Sequence, residues 1–413
     1  MAQHIKLKHL VSIPVTTGTG AEAQEYNPEE LRYIRISDFD KSGRIIDSRK
    51  VSISYETGKN YLLNNGDILV AVTGGTVGKS ILFECDEQCA FAGYLARIRT
   101  DETKLHNRYL MYYMMSPLFD DFKNTSVTKS TMENISASKY ANMPVVIYPI
   151  EQQRRIASFL DRACGDIDFI VMKTQSSIME YKKLKQAVIT QAVTKGVRGK
   201  RGLANTTVEW LGKIPTEWKI YRIANLYDER SESGLEELPI LTVSINSGVS
   251  DYEIADEDKD RVFVRSEDRT KYKRVYPGDL AYNMMRAWQG AFGAVRVDGM
   301  VSPAYVVAKP KPGVQLDSRY MEALLRTPAA IEEMHRYSRG IVDFRLRLYW
   351  PEFKNIRICL PPLEEQMEIA DYIDQKSAEL DALIAKKEQF LAELENYKKS
   401  LIYEYVTGKK EVQ

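Results

Sequence analysis

Few residues in this 413-residue chain could act as chemical groups, and their spacing fits none of the common catalytic sites. Thr73-Gly-Gly-Thr-Val-Gly-Lys79-Ser80 ends as a phosphate-binding loop ends. Such a loop needs a glycine five residues before its last glycine, so that successive backbone N–H groups can wrap the phosphates, and Thr73 stands there instead. The string suits a tight glycine turn between strands, with Lys79 near a partner's phosphate. The four histidines, His4, His9, His106 and His335, are dispersed and make neither HExxH nor a Ser-His-Asp set. Cys85, Cys89, Cys164 and Cys359 are too scattered to staple the chain, and Cys85 and Cys89 lack a second Cys/His pair for a zinc site. No metal site is expected.

Ser302-Pro-Ala-Tyr305 is one proline short of the tetrapeptide with which adenine methyltransferases hold a flipped base, and no Gly-rich cofactor loop accompanies it. It reads as the start of a strand. What remains is basic and aromatic interleaving. Arg261, Arg265, Arg269, Lys271, Tyr272, Lys273, Arg274 and Tyr276 form one run, Arg286-Ala-Trp288-Gln289 a second, and His335 to Gly340 with Arg339, Arg345 and Arg347 a third. The first half offers Lys79, Lys123, Lys129, Ser130, Thr131 and Lys139. Arg and Gln can read guanine and adenine edges with paired hydrogen bonds, and Lys can meet phosphates. The candidate DNA contacts are therefore Lys79, Lys129, Ser130, Lys271, Arg274, Arg286, Trp288, Gln289, Arg339, Arg345 and Arg347. The whole chain gives no such hint: 58 Lys+Arg against 57 Asp+Glu leave a net charge of +1, so a nucleic-acid partner must be met by local patches.

A repeat organises the elements that must position these groups. Asn142-Met-Pro-Val-Val-Ile-Tyr-Pro149-Ile-Glu151-Gln-Gln153-Arg-Arg-Ile156-Ala157 is copied 213 positions later, from Asn355 through Pro362, Glu364 and Gln366 to Ile369-Ala370. At the same offset Asp161 falls on Asp374, Asp168 on Asp381, Lys185 on Lys398, and Val193-Thr194 on Val406-Thr407. Upstream the echo is fainter and its offset drifts: Gly66-Asp67 answers to Gly278-Asp279, Arg108-Tyr109 to Arg319-Tyr320, and Ser116-Pro117 to Thr327-Pro328. Each half thus has a variable first part and a similar second part.

The similar parts read as helices of about 44 residues, roughly 65 Å long, opening on proline and acidic residues that suit a helix N-terminus. Apolar positions recur every three or four residues. The expected coiled-coil positions are Ile156, Leu160, Ile167, Ile170, Ile178 and Val188 in the first helix, and Ile369, Ile373, Leu380, Leu383, Leu394 and Leu401 in the second. Chain order makes the pair antiparallel, with a variable part at either end of a rod and an approximate two-fold axis between them. The variable parts, with short β-branched runs such as Gly66-Asp-Ile-Leu-Val-Ala-Val-Thr73, read as α+β domains. The fold class expected is two α+β recognition domains separated by two long antiparallel helices. The expected boundaries are a first domain over 1–148, a helix over 149–196, a basic Gly-rich linker and second domain over 197–360, a helix over 361–408 and a tail over 409–413. The N-terminus has no apolar signal core and no run reaches the length of a membrane span, so a soluble cytoplasmic protein is expected.

This arrangement resembles the specificity subunit of type I restriction–modification systems over nearly the whole chain. The resemblance rests on two variable domains, each followed by Pro-x-x-x-Gln at the start of a long helix (Pro149 to Gln153, Pro362 to Gln366). It rests also on Glu209-Trp-Leu-Gly-Lys-Ile-Pro-Thr-Glu-Trp218, similar to the lead-in that the family places before a target-recognition domain. The first half lacks that lead-in and starts at Ile5-Lys-Leu-Lys-His-Leu10. The resemblance implies a non-catalytic subunit whose domains each read half of a split DNA sequence, the helices acting as a ruler. Readers one helical turn, ~34 Å, apart would meet successive major-groove faces. It also implies two methyltransferase subunits that use S-adenosylmethionine, and restriction/translocase subunits that use ATP and Mg²⁺. A coiled-coil scaffold without sequence-specific DNA binding is the alternative, though it would not need two different α+β domains.

Overall fold

The computed structural model describes residues 3–40, 43, 45–127, 133–253, 271–340 and 346–412. The chain divides into two compact units, one of residues 1–175 and 388–413, the other of residues 176–387. Both long helices are present, Ile150–Lys195 (46 residues) and Leu363–Val406 (44 residues), and each division point falls inside one of them. The fold is the expected one, α+β with two domains and two long helices.

In the first unit a four-stranded antiparallel sheet runs in the order Thr16–Thr17, Leu95–Ile98, Ile68–Ala71, Ser80–Leu82. Its central strand is buried on both faces, because alternate residues serve different cores. Ile68, Val70 and Val72 pack with the helical side, including Tyr109, Phe119, Ile156 and Leu160, while Leu69 and Ala71 pack with Ile34, Phe83 and Phe91. A second sheet, in which Leu31–Ile34 pairs parallel with Cys89–Phe91, covers that other face. The second unit repeats the main sheet in the order Tyr227–Arg230, Tyr305–Pro310, Leu280–Asn283, Phe292–Ala294. Leu280 and Tyr282 face the helical core and Ala281 the opposite one.

The faint echoes between the halves acquire physical reasons here. Asp67 and Asp279 are buried just before the central strands. Arg99 holds Asp67 with two bonds of 2.7 Å and Asn64 N–H adds a third of 2.8 Å; Arg230 holds Asp279 at 2.8 and 3.2 Å and Tyr276 N–H adds one of 3.0 Å. A buried carboxylate must be paired in this way, and the two units recruit the arginine from different strands. Pro117 and Pro328 open helices Pro117–Ser126 and Pro328–Tyr337, where a missing N–H costs nothing. The lead-in absent from the first half packs on the second unit alone: Trp218 Nε1 donates to Glu365 Oε2 at 3.1 Å and Trp210 Nε1 to the carbonyl of Arg357 at 3.1 Å. Strand Gln3–Lys6, paired antiparallel with Pro144–Ile147, corresponds to Lys219–Arg222 paired with Arg357–Leu360.

Pro-x-x-x-Gln proves to be a clamp. Buried Gln153 donates from Nε2 to the carbonyls of Tyr148 (2.8 Å) and Lys104 (2.9 Å), and its Oε1 accepts His106 N–H at 3.0 Å. Gln366 does the same with Pro361 (2.9 Å), Gln315 (3.3 Å) and Asp317 N–H (2.9 Å). Each long helix is thereby tied at its start to the loop leading into the domain's own helices. Gly196 and Gly408 (both at φ 74) follow the helix ends, in the left-handed conformation that terminates a helix.

Within each unit the two helix segments run antiparallel. In the first, Phe159 meets Tyr405 and Asp168 pairs with Lys398; in the second, Tyr181 lies under Lys387 and Lys185 pairs with Asp381. Among the expected coiled-coil residues, Ile156, Leu160, Ile167, Ile178, Ile369, Ile373, Leu380 and Leu401 are buried and Val188 and Leu394 half-buried. Ile170 and Leu383 are corrections: both face outward, 41% and 42% exposed. The inward stripe is a strict heptad through Gln153, Leu160, Ile167, Thr174 and through Ala157, Cys164, Val171, Ile178. Ile170 precedes the seam residue Val171 by one position, and Leu383 precedes the buried Ile384 likewise. One residue is 100° of helix, enough to move a side chain from seam to solvent.

Candidate nucleic-acid interface

Thr73–Lys79 joins the central strand Ile68–Ala71 to the sheet's edge strand Ser80–Leu82. A phosphate-binding loop leads into a helix, whereas this Gly-Lys-Ser leads into an antiparallel strand, so the string is a hairpin turn as its missing glycine implies. The neighbouring chain is Glu133–Ile135: Gly74 N–H bonds to the carbonyl of Glu133 and Ile135 N–H to that of Val72, both at 3.0 Å. The stem of Lys123 covers Gly78, and its Nζ pairs with Asp120 at 2.7 Å. Lys139 Nζ donates to the carbonyl of Ser126 at 2.6 Å. Lys79 itself is half-buried at the base of the turn.

Met284–Ala291 holds the same topological place in the second unit, joining the central strand Leu280–Asn283 to the edge strand Phe292–Ala294. The returning chain again lies alongside, with Leu348 N–H bonded to the carbonyl of Met284 at 2.8 Å. Trp288 Nε1 donates to the carbonyl of Met285 at 3.0 Å, and its ring meets His335 edge-on at 5.5 Å. One helical turn beyond His335, Arg339 exchanges both backbone hydrogen bonds with Arg347 at 2.9 Å and pairs with Glu352 at 2.7 Å. These contacts bring the segments that carry Arg286, Trp288 and Gln289 and that carry Arg339 and Arg347, some sixty positions apart in sequence, beside one another.

Tyr305 lies in register opposite Asn283 and opens its strand, as the Ser302–Tyr305 string suggests. Burial pushes its phenol up, and Arg286 opposes that shift. Leu95 stands in the equivalent place in the first unit, in register opposite Ala71, and its N–H bonds to the carbonyl of Ala92 at 2.9 Å as that of Tyr305 does to Ser302.

Arg274 belongs to a different cluster. Its guanidinium lies 4.6 Å from the Tyr276 ring, with that of Arg230 at 4.4 Å, and Tyr276 Oη donates to Glu232 at 3.1 Å. Lys271 is exposed just before that strand. Lys129, Ser130 and Arg345 lie outside the described residues, as do Thr131, Arg261, Arg265 and Arg269. Among the described residues no group of three or more His, Cys, Asp or Glu could hold a metal ion, and no helix is long and apolar enough to cross a membrane.

Residues 3–178 match the family described as the type I restriction modification DNA specificity domain. The chain is similar to the MjaVIII type I restriction enzyme specificity subunit of Methanocaldococcus jannaschii, 22% identical over 86% of this chain and 81% of that protein. It is likewise similar to the EcoBI specificity subunit of Escherichia coli, 22% identical over 95% and 83%. Residues 3–178 thus carry a type I restriction DNA specificity domain.

Two solved structures share its fold. One is a chain of a type I R-M system studied for complex assembly and conformational transition (TM-score 0.73, 16% identity, 98% of this chain and 97% of that one). The other is the HsdS subunit of Thermoanaerobacter tengcongensis (TM-score 0.53, 16% identity, 99% and 97%). The three buried thiols are poor nucleophiles: burial pushes Cys164 up to about 11 and Cys359 up to about 12, and raises Cys89 as well.

Proposed function

We propose that this chain is the sequence-specific DNA-recognition subunit of a type I restriction–modification complex, and that each unit reads one half of a bipartite double-stranded target. The observation that carries this reading is the equivalent placing of the two hairpins. Sheets of the same order present Thr73–Lys79 and Met284–Ala291 at the same point, each flanked by the same returning segment. Two readers of one design and different side chains suit a target read in two different parts. The long helices set the spacer between the half-sites.

The helices also dock two modification subunits. In support, they carry large apolar side chains on their outer faces: Phe169, Ile170, Met172, Met179 and Leu184 on the first, Leu383, Phe390 and Tyr397 on the second. Methyl transfer from S-adenosylmethionine belongs to those partners, and ATP- and Mg²⁺-dependent steps to restriction/translocase subunits. The chain itself catalyses nothing and works in the cytoplasm, where its DNA is.

The test is to map methylated adenines in a host expressing the modification subunit with and without this chain. A bipartite motif that depends on the chain is expected. A continuous motif, or methylation indifferent to the chain, would defeat the reading.

A further inference from the structure

Arg286 and Gln289 bracket one 3-10 turn, Ala287–Gln289, closed by Gln289 N–H bonding to the carbonyl of Arg286 at 2.9 Å. Arg286 caps the turn (φ -136, ψ 7) and Gln289 is its last residue, so the two side chains start three residues apart, about 6 Å along the turn at ~2 Å per residue. Neither side chain has a hydrogen-bond or ion-pair partner among the described residues, and Gln289 is exposed. The intervening residues are committed elsewhere. Ala287 is buried, and Trp288 spends its N–H on Met285 and its ring on His335. The turn is thus held by its middle and carries two planar groups at its ends, Gln289 exposed and Arg286 half-buried near Tyr305.

Each of those groups matches one purine edge: a guanidinium fits O6 and N7 of guanine, and a carboxamide fits N6 and N7 of adenine. Successive bases on a strand are ~3.4 Å apart, within the reach of side chains of these lengths from origins spaced as above. We infer that Arg286 and Gln289 read two neighbouring base pairs of the second unit's half-site, a G·C pair by Arg286 and an A·T pair by Gln289. The equivalent turn of the first unit, closed by Val77 N–H on the carbonyl of Gly74 at 3.0 Å, offers Gly74 and Val77, neither with a planar hydrogen-bonding side chain, so the two half-sites are read by different chemistry. This inference rests on the DNA-recognition reading above.

The experiment expresses the full chain with its modification subunits in an unmethylated host and maps methylated adenines for the wild type, Arg286→Ala, Arg286→Lys and Gln289→Ala. The wild-type motif should contain a G·C pair beside an A·T pair in one half. Arg286→Lys keeps the charge and loses the paired geometry, so it should accept other bases at the G·C position. Gln289→Ala should relax the neighbouring position. Discrimination at the affected position should fall by about 5- to 150-fold, with the other half-site and the spacer unchanged.

A motif unchanged in the variants, with methylation lowered evenly at all sites, would make both residues backbone contacts and overturn the inference. So would a wild-type bipartite motif with no G·C beside A·T in either half, and in both cases the recognition reading stands. A wild-type complex that methylates no bipartite site sinks both. If Arg286→Ala abolishes methylation, Arg286→Lys decides.

Discussion

The phenol of Tyr109 reaches the carbonyl of Val406, 297 residues away at the end of the second long helix, at 3.3 Å, sharing its proton with the carbonyl of Val146 at 2.8 Å. Tyr320 repeats this with Val193, at the end of the first helix, at 3.3 Å and with Cys359 at 3.1 Å. Each recognition domain is therefore fastened to the end of the helix that belongs, by sequence, to the other half. The sequence repeat and the compact units are permuted relative to one another, and the tyrosines are the fastening points.

Replacing either tyrosine by phenylalanine keeps the ring and deletes the donor. Two buried carbonyls then share no side-chain hydrogen, which costs about 1–2 kcal/mol. Tyr109→Phe and Tyr320→Phe should each lower the denaturant midpoint by a similar amount, since their surroundings are equivalent. A loss in one variant only would show that the two fastenings are not alike.

The clamps should matter more. Gln153→Ala strands the carbonyls of Tyr148 and Lys104 and the N–H of His106, and Gln366→Ala strands the corresponding three groups. About 2–4 kcal/mol of stability should be lost in each, reduced where water reaches the vacated space. Gln153→Glu is the sharper probe, because a carboxylate can accept from His106 but cannot donate to two carbonyls. Its stability should lie near that of the alanine variant, and calorimetry compares the three.

His106 gives the first unit a pH dependence. Burial lowers its pKa from the usual 6.5, with Glu102 and Asp161 opposing and Arg154 and Arg108 assisting, and its Nδ1 has no partner among the described residues. A base whose folded pKa is depressed binds its proton more readily when unfolded. Its contribution is complete above the unfolded pKa and is lost as pH falls below that value. Melting temperature should therefore drop from pH 7.5 to pH 5.5 by more in the wild type than in His106→Gln. Parallel profiles would exclude His106 as the cause.

Much of this molecule was legible in the sequence, and the exceptions have physical causes. The helices were plain because a coiled coil constrains its residues at a fixed period, so the offset from Asp168 to Asp381 survives without a gap. The equivalence of the two hairpins was hidden, because among their turn residues only the left-handed glycine, Gly78 (φ 83) in one and Gly290 (φ 93) in the other, is common to both. Ile170 was placed on the seam because it and Val171 are both apolar, and pattern alone cannot choose between adjacent β-branched residues. The role of Tyr109 was invisible for another reason: its partners are backbone carbonyls, which leave no trace in residue type.

Lys185 Nζ lies 2.6 Å from Asp381, and Lys398 Nζ lies 2.6 Å from Asp168, the same pair in both copies of the repeat. The carboxylates are well exposed, so each pair contributes at most about 1 kcal/mol, less in high salt. Lys185→Asp should destabilise slightly by bringing two like charges together. Adding Asp381→Lys should restore the loss if the pair interacts directly. A double variant no better than the single one would show that the contact contributes orientation at most.

The outer faces of the helices separate folding from assembly. Phe390 (44% exposed) and Tyr397 (59% exposed) lie seven residues apart on the second helix, so one partner helix could meet both. Their exposure means that folding gains little from them, and Phe390→Glu should leave the melting temperature within about 1 kcal/mol of wild-type stability. If these residues dock a modification subunit, the same change buries an unpaired carboxylate in that interface and should weaken binding by at least tenfold. Leu380→Glu, aimed at the buried seam, should instead unfold the helix pair. Calorimetry on the isolated chain and co-purification with the modification subunit distinguish the two. Undiminished binding by Phe390→Glu together with Tyr397→Glu would move the docking surface off this face.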